Sequence, residues 1–121
     1  MNEQQRKGKA SRDKGKRGEL QLMHILRDEY GYDVRRGKVF YGESDLVGFK
    51  GVHIECKAVE RLNIREALRQ AIEEAQKRQD GIPVVFSHKN RDGWIVAMRL
   101  EDFMDFYGAW EANDERMGIH T

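Results

Sequence analysis

The chain has 121 residues, of which 39% are hydrophobic and 36% charged, and its formal net charge at pH 7 is +1. This length favours one domain, and no apolar stretch approaches the roughly 20 residues of a membrane-spanning helix, which excludes a membrane-resident protein. The single cysteine, Cys56, excludes an internal disulfide and a multi-cysteine zinc site, and the lack of a secretory-type N-terminus predicts a cytoplasmic protein.

The first element along the chain is a basic, Gly- and Lys-rich segment. Residues 1–18 hold seven Lys or Arg against two acids, whereas residues 101–121 hold six Asp or Glu against one Arg. We expect residues 1–13 to form a flexible arm, because they show no hydrophobic periodicity. Such an arm could bind DNA phosphates, or it could be a disordered solubilising tail, and its charge is compatible with both functions.

A single domain is predicted over residues 14–110, followed by a polar tail over residues 111–121. Its first helix runs from about Gly15 to Tyr30, because apolar residues recur there at three- and four-residue spacings. The periodicity and turn residues then predict, in chain order, an extended segment (32–40), strands (44–49 and 52–58) joined at Lys50-Gly51, a helix (61–79), strands (83–87 and 94–98) and a helix (100–107). The order α-β-β-β-α-β-β-α favours an α/β or α+β fold with a mixed β-sheet flanked by helices.

The predicted hairpin over residues 44–58 contains the most informative polar side chains. Side chains alternate along an extended strand, so His53, Glu55 and Lys57 share one face of its second strand. A tight turn between the two strands can fold Asp45 back beside Glu55. The sequence therefore predicts that two carboxylates and an ammonium group converge at one place.

Two neighbouring carboxylates repel each other, and a cation between them relieves that repulsion. Hard oxygen ligands suit Mg²⁺ or Mn²⁺, so we expect a metal site on Asp45, Glu55 and the main-chain carbonyl of Cys56. Lys57 would orient or activate a water molecule, or offset negative charge as a phosphodiester is cleaved. The alternative is structural, because Glu-x-Lys on a strand is often only a solvated face.

The spacing of these residues resembles a known nuclease pattern. Asp45, nine intervening residues and Glu-x-Lys on a predicted hairpin between two helices resemble the PD-(D/E)XK nuclease superfamily, over about residues 14–107. The resemblance implies a restriction-endonuclease-like fold. Within the superfamily the chain looks most like archaeal-type and phage-borne Holliday-junction resolvases, because Lys14-Gly-Lys-Arg-Gly-Glu19 opens its first helix. Ser44 stands where the superfamily name has proline, a position that varies.

The resemblance adds further candidate residues. It implies that Glu19 joins the active site, as a catalytic residue and a possible metal ligand, although Glu19 could instead be a surface residue paired with Lys16. It also makes Gln70, on the second long helix, a candidate for assisting catalysis. The basic residues that we expect to contact DNA phosphates are Lys14, Lys16, Arg17, Arg35, Arg36 and Lys38.

These inferences together predict a Mg²⁺- or Mn²⁺-dependent endonuclease, most similar to a Holliday-junction resolvase that acts on branched DNA. Its cell would be bacterial, archaeal or phage-infected. An enzyme that acts on branched DNA must bind two DNA backbones in a fixed relation, which a two-fold dimer can do. The resemblance also implies a homodimer. Two alternatives remain open: a nuclease of the same fold for flaps, ends or duplex DNA, and a non-catalytic DNA-binding module.

Overall fold

The computed structural model of the protein describes residues 1–38 and 45–118. Its elements are, in chain order, α1 (Glu3–His24), a π-helical turn (Ile25–Glu29), β1 (Arg35–Arg36), β2 (Leu46–Val47), β3 (Val52–Ala58), α2 (Ile64–Arg78), β4 (Ile82–Lys89), β5 (Gly93–Ala97) and α3 (Leu100–Met117). The predicted order of helices and strands is confirmed. Ser44 and the end of the predicted segment 32–40 lie outside the described residues.

The five strands form one mixed sheet in the order β1-β2-β3-β4-β5. β3 and β4 are parallel, and the other neighbouring strands are antiparallel. Parallel strands need a crossover connection, which α2 supplies here. β3 consequently lies in the middle of the sheet, between the short strand β2 and the long strand β4. The α+β architecture with a mixed sheet flanked by helices agrees with a restriction-endonuclease-like fold.

Helices α1 and α2 pack against opposite faces of this sheet. Leu22, Met23 and Leu26, at the end of α1 and in the π-helical turn, belong to a buried cluster that includes Ile54 of β3. On the other face, the small side chains of α2 pack around Val85 of β4. Because side chains alternate along β3, its even-numbered residues face α1 and its odd-numbered residues face the α2 side.

Gly18 brings α1 into close contact with the end of β3. A Cβ atom at Gly18 would lie 2.5 Å from the Cβ of Ala58 and 3.8 Å from the Sγ of Cys56. Only a glycine therefore permits this approach, and the following residue, Glu19, is thereby held beside the strand that carries Glu55.

The predicted bounds of the two outer helices were wrong. α1 begins at Glu3 instead of about Gly15, because Asn2 caps it through a reciprocal pair of hydrogen bonds with Gln5. Absence of apolar periodicity does not prevent an exposed helix built from good helix formers. Residues 3–13, predicted as a flexible arm, are thus helical in this structure, and ordering on DNA stays a prediction.

α3 extends to Met117, ten residues beyond the predicted end at Tyr107, so most of the predicted polar tail is helical. The helix ends at Gly118, whose left-handed conformation is a common helix terminator. Within the described ranges 1–38 and 45–118, no helix has the length and apolar character needed to cross a membrane.

Candidate active site

Four of the five predicted catalytic side chains line one pocket of about 340 Å³. Glu19 reaches it from α1, Asp45 from the residue before β2, and Glu55 and Lys57 from β3. Lys14, Gly15, Cys56, Ala58 and Val59 complete the lining. The structure thus brings together the two carboxylates, the lysine and the helix glutamate that the sequence pointed to.

The hairpin register explains why Asp45 and Glu55 meet. Leu46 pairs with Ile54 in the antiparallel β2–β3 ladder, and the same register continued by one residue sets Asp45 opposite Glu55. The backbone N–H of Cys56 donates a hydrogen bond of 3.0 Å to Oδ2 of Asp45. Asp45 is thereby tied to the strand that carries the other acid.

The environment of the pocket disfavours the charged form of Asp45. Burial first, and then the negative charge of Glu55, raise the pKa of Asp45 to about 6, although the Cys56 N–H and the Lys57 ammonium oppose the shift. Lys57 Nζ lies 4.0 Å from Oε1 of Glu55, so it offsets only part of the negative charge. The site therefore has acidic groups that a cation would stabilise.

Glu19 is held by an arginine from the neighbouring sheet edge. Both Nε and an Nη of Arg36 donate to the same oxygen of Glu19, at 3.0 and 2.8 Å. Arg36 is therefore the partner of Glu19, and not Lys16, because β1 carries the arginine fork to the α1 side of the pocket. Arg36, which we expected to contact a DNA phosphate, thus already binds an acid that lines the pocket. Its phosphate contact stays a prediction.

Next to Glu55, the side chain of His53 is almost completely buried, with 1% of its surface exposed. Its Nδ1 lies 2.8 and 2.9 Å from the two carboxylate oxygens of Asp80, and its Nε2 lies 3.3 Å from Oε2 of Glu55. Burial lowers the pKa of His53, but the hydrogen bonds to Glu55 and Asp80 outweigh that effect and raise it above the ordinary value. His53 thus connects Glu55 to a second acid.

Sequence reasoning noted that His53 shares the face of Glu55 but missed Asp80. The two residues are 27 positions apart, and only the β3–β4 pairing brings them together. In that parallel register His53 lies opposite Pro83, three residues after Asp80. The sequence did contain a signal for Asp80. It is an acid that lies just before the strand expected to pair in parallel with the Glu-x-Lys strand.

Cys56 contributes its backbone to the site, while its thiol packs against the core on the α1 side. Burial, followed by the charge of Asp45, raises the pKa of the thiol to about 12. The side chain is therefore protonated at neutral pH and is a poor nucleophile.

The remaining predicted residues have different positions. Gln70 is exposed on α2 and is not among the residues that line the pocket, so its catalytic role stays a prediction. Lys14 lines the pocket, and with Arg17 it also lines an adjoining one of about 350 Å³ that includes His88 and Asn90. Three further cations are exposed, as a phosphate contact requires: Lys16, Arg35 and Lys38.

The oxygen atoms of the pocket fit a hard divalent cation. In the described part of the chain, no group of three His, Cys, Asp or Glu side chains is arranged to hold a metal ion. The expected set has two side chains, Asp45 and Glu55, and one main-chain oxygen. In a strand a residue's N–H and C=O point to the same side, so the carbonyl of Cys56 faces the side of Asp45 to which its N–H donates. Carboxylate and carbonyl oxygens are the ligands that Mg²⁺ and Mn²⁺ prefer.

Comparison with known protein families identifies a match over nearly the whole chain. The family described as "Phage putative PDDEXK endonuclease" matches residues 10–120. This range contains every residue that lines the pocket. No match was found among the curated proteins.

Proposed function

The chain belongs to the family of phage PDDEXK endonucleases, and we propose that it is a metal-dependent endonuclease that hydrolyses DNA at the pocket of Asp45, Glu55 and Lys57. The observation that carries this proposal is the convergence of these three side chains, two from β3 and one from the residue before β2, on one pocket. The raised pKa of Asp45 supports it further, because it reflects burial first and then the nearby charge of Glu55, which Lys57 opposes only in part.

The roles of the residues follow from their chemistry. Asp45, Glu55 and the Cys56 carbonyl would hold Mg²⁺ or Mn²⁺ through oxygen atoms. When bound, the cation supplies Lewis acidity towards the scissile phosphate and lowers the pKa of a water molecule. Lys57, beside Glu55, orients the attacking water and offsets charge that develops on the phosphate.

Glu19 acts at the rim of the same pocket. Its carboxylate is held by Arg36, so it can accept a hydrogen bond from water or support the cation without being free to rotate. Lys14 and Arg17 lie on the same helix and line the adjoining pocket, so they supply positive charge next to the active-site pocket. This charge supports a role in binding the flanking phosphates of a DNA strand. These contacts would weaken as the salt concentration rises.

The proposed substrate is branched DNA, and the four-way junction is our first choice because of the sequence resemblance to Holliday-junction resolvases. A resolvase needs two active sites in a fixed relation, which a two-fold dimer provides. α3 supports such a dimer, because Leu100, Phe103, Tyr107 and Trp110 form an exposed stripe with the 3-4-3 spacing of a helix-packing seam. We expect the enzyme to act in the cytoplasm of a phage-infected cell, in DNA recombination or repair.

The proposal is tested by incubating the protein and its Glu55→Gln variant with Mg²⁺ and labelled junction, flap and linear duplex DNA. We expect the wild type to cut the junction in paired positions and the variant to bind DNA with unchanged affinity but not to cut it. Equal cutting of all three DNAs would favour the alternative, a duplex or flap nuclease.

The proposed dimer is tested by light scattering, which should give the mass of two chains for the wild type. Tyr107→Asp should give the mass of one chain, and Asp105→Asn is the control that should remain a dimer.

A further inference from the structure

The contacts of His53 differ from those of an ordinary buried histidine. Both ring nitrogens face carboxylates, with Asp80 on one side at 2.8 and 2.9 Å and Glu55 on the other at 3.3 Å. A buried polar group needs partners, but Asp80 alone would satisfy one nitrogen and a backbone carbonyl could satisfy the other. Here the second partner is a carboxylate that also lines the candidate active site.

We propose that His53, oriented by Asp80, is a positioning residue that fixes the Glu55 carboxylate in the rotamer needed to hold the metal ion. The inference rests on the proposed metal-dependent function. It goes beyond that function by assigning a role to two residues, His53 and Asp80, that lie outside the metal ligands and the lysine.

The geometry divides the two oxygens of Glu55 between two tasks. Oε2 is next to His53 Nε2, on the buried side, whereas Oε1 lies 4.0 Å from Lys57 Nζ. A hydrogen bond from His53 to Oε2 restricts rotation of the carboxylate about its last side-chain bond. Oε1 is then kept on the side of Lys57, where it would be available to a cation held by Glu55.

Asp80 has the corresponding effect on the imidazole ring. Its carboxylate faces Nδ1 with both oxygens, so it favours the ring orientation in which Nδ1–H donates to Asp80 and Nε2 points at Glu55. Donation from Nε2 to Glu55 as well requires a hydrogen on both nitrogens, which is the imidazolium form that two carboxylate partners favour. Metal-binding side chains are commonly oriented by a second layer of hydrogen bonds, and loss of such a partner typically costs about 10- to 100-fold in metal affinity or activity. His53 and Asp80 would form that layer for Glu55.

Two conservative replacements separate positioning from packing. The amide nitrogen of glutamine can occupy the place of Nε2, so His53→Gln can still donate to Glu55 but loses Asp80. The amide nitrogen of asparagine can occupy the place of Nδ1, so His53→Asn keeps Asp80 but loses Glu55. Both replacements put an uncharged amide in the same buried position. If His53 has only a structural role, any loss of Mn²⁺ binding or activity in the two variants should follow their loss of stability.

The first measurement is the dissociation constant of Mn²⁺ for the protein without DNA, followed by kcat and KM for cleavage. We expect His53→Asn to weaken Mn²⁺ binding and to lower kcat by about 10- to 100-fold with KM for DNA unchanged, and His53→Gln to stay within about threefold of wild type. In the His53→Gln background, Asp80→Asn should have no further effect, because the contact it modifies is already absent. His24→Asn is the matched control, since His24 pairs with Asp28 on the exposed surface.

Unchanged Mn²⁺ affinity in His53→Asn would overturn the proposal. So would losses of Mn²⁺ affinity and kcat that are equal in the two variants and match the decrease in their urea unfolding midpoints. Glu55→Gln, measured in parallel, separates this from failure of the proposed function. If Glu55→Gln weakens Mn²⁺ binding while His53→Asn does not, only the positioning role is rejected. If Glu55→Gln also binds Mn²⁺ normally, the metal site itself is rejected.

Discussion

At the scale of single residues, burial and the charges around Asp45 determine the pH at which it loses its proton. The pKa of Asp45 is about 6 in the folded protein against 3.8 for an unperturbed group, because the residue is buried and lies near Glu55. A raised pKa in the folded state stabilises the fold fully below the unfolded pKa, and that contribution is lost as the pH rises through the folded pKa.

We therefore predict that the metal-free protein loses stability between about pH 4 and pH 6. The loss due to Asp45 is at most about 3 kcal/mol in the free energy of unfolding, from a shift of roughly two pKa units. Asp45→Asn should remove this part of the pH dependence, and urea unfolding in EDTA across the range measures it. The exposed Asp105→Asn is the control, and an identical pH profile for Asp45→Asn and wild type would contradict the assignment.

At the scale of secondary-structure elements, the position of α1 against β3 determines whether Glu19 reaches the pocket. We predict that Gly18→Ala lowers the free energy of unfolding by about 1–3 kcal/mol, because its Cβ would overlap that of Ala58. Cleavage should fall as well, since the helix that carries Glu19 must shift.

The matched control is Gly15→Ala in the same helix, where an added Cβ would meet no atom within 4 Å. That change should raise stability by about 0.5–1 kcal/mol, the usual gain from replacing a helical glycine. Chemical denaturation of both variants measures the difference, and similar effects at the two positions would show that the contact with Ala58 does not restrict α1.

The extent to which elements could be predicted depended on which physical signal defines them. The hairpin register was predictable because Lys50-Gly51 and the alternation of β3 place Asp45 beside Glu55. The start of α1 was not, because Asn2 and exposed polar residues extend that helix without any apolar pattern. The end of α3 was not either, because the residues after Trp110 that extend it are mainly polar. The pairing of Glu19 with Arg36 and of His53 with Asp80 depends on contacts between distant segments. Local sequence patterns do not encode the first pair, and for the second they offer only the position of an acid just before β4.

At the scale of the whole molecule, charge is distributed in a way that suits a nucleic-acid substrate. The helix that opens the chain carries the seven cations of residues 1–18, and its residues Lys14, Gly15 and Glu19 line the candidate active-site pocket, while the acidic side chains of residues 101–121 belong largely to α3. A net charge of +1 therefore combines a basic helix, α1, which lines the candidate active-site pocket, with an acidic helix, α3. This polarity would orient DNA towards the pocket during association.

The central claim is that Asp45 and Glu55 together hold one divalent cation. The most direct test is a crystal of the protein soaked in Mn²⁺, with the metal located by anomalous scattering. The account predicts one Mn²⁺ ion with an oxygen of each carboxylate and the Cys56 carbonyl at about 2.0–2.3 Å. A pocket without Mn²⁺ at a saturating concentration, or an ion bound by other residues, would contradict it.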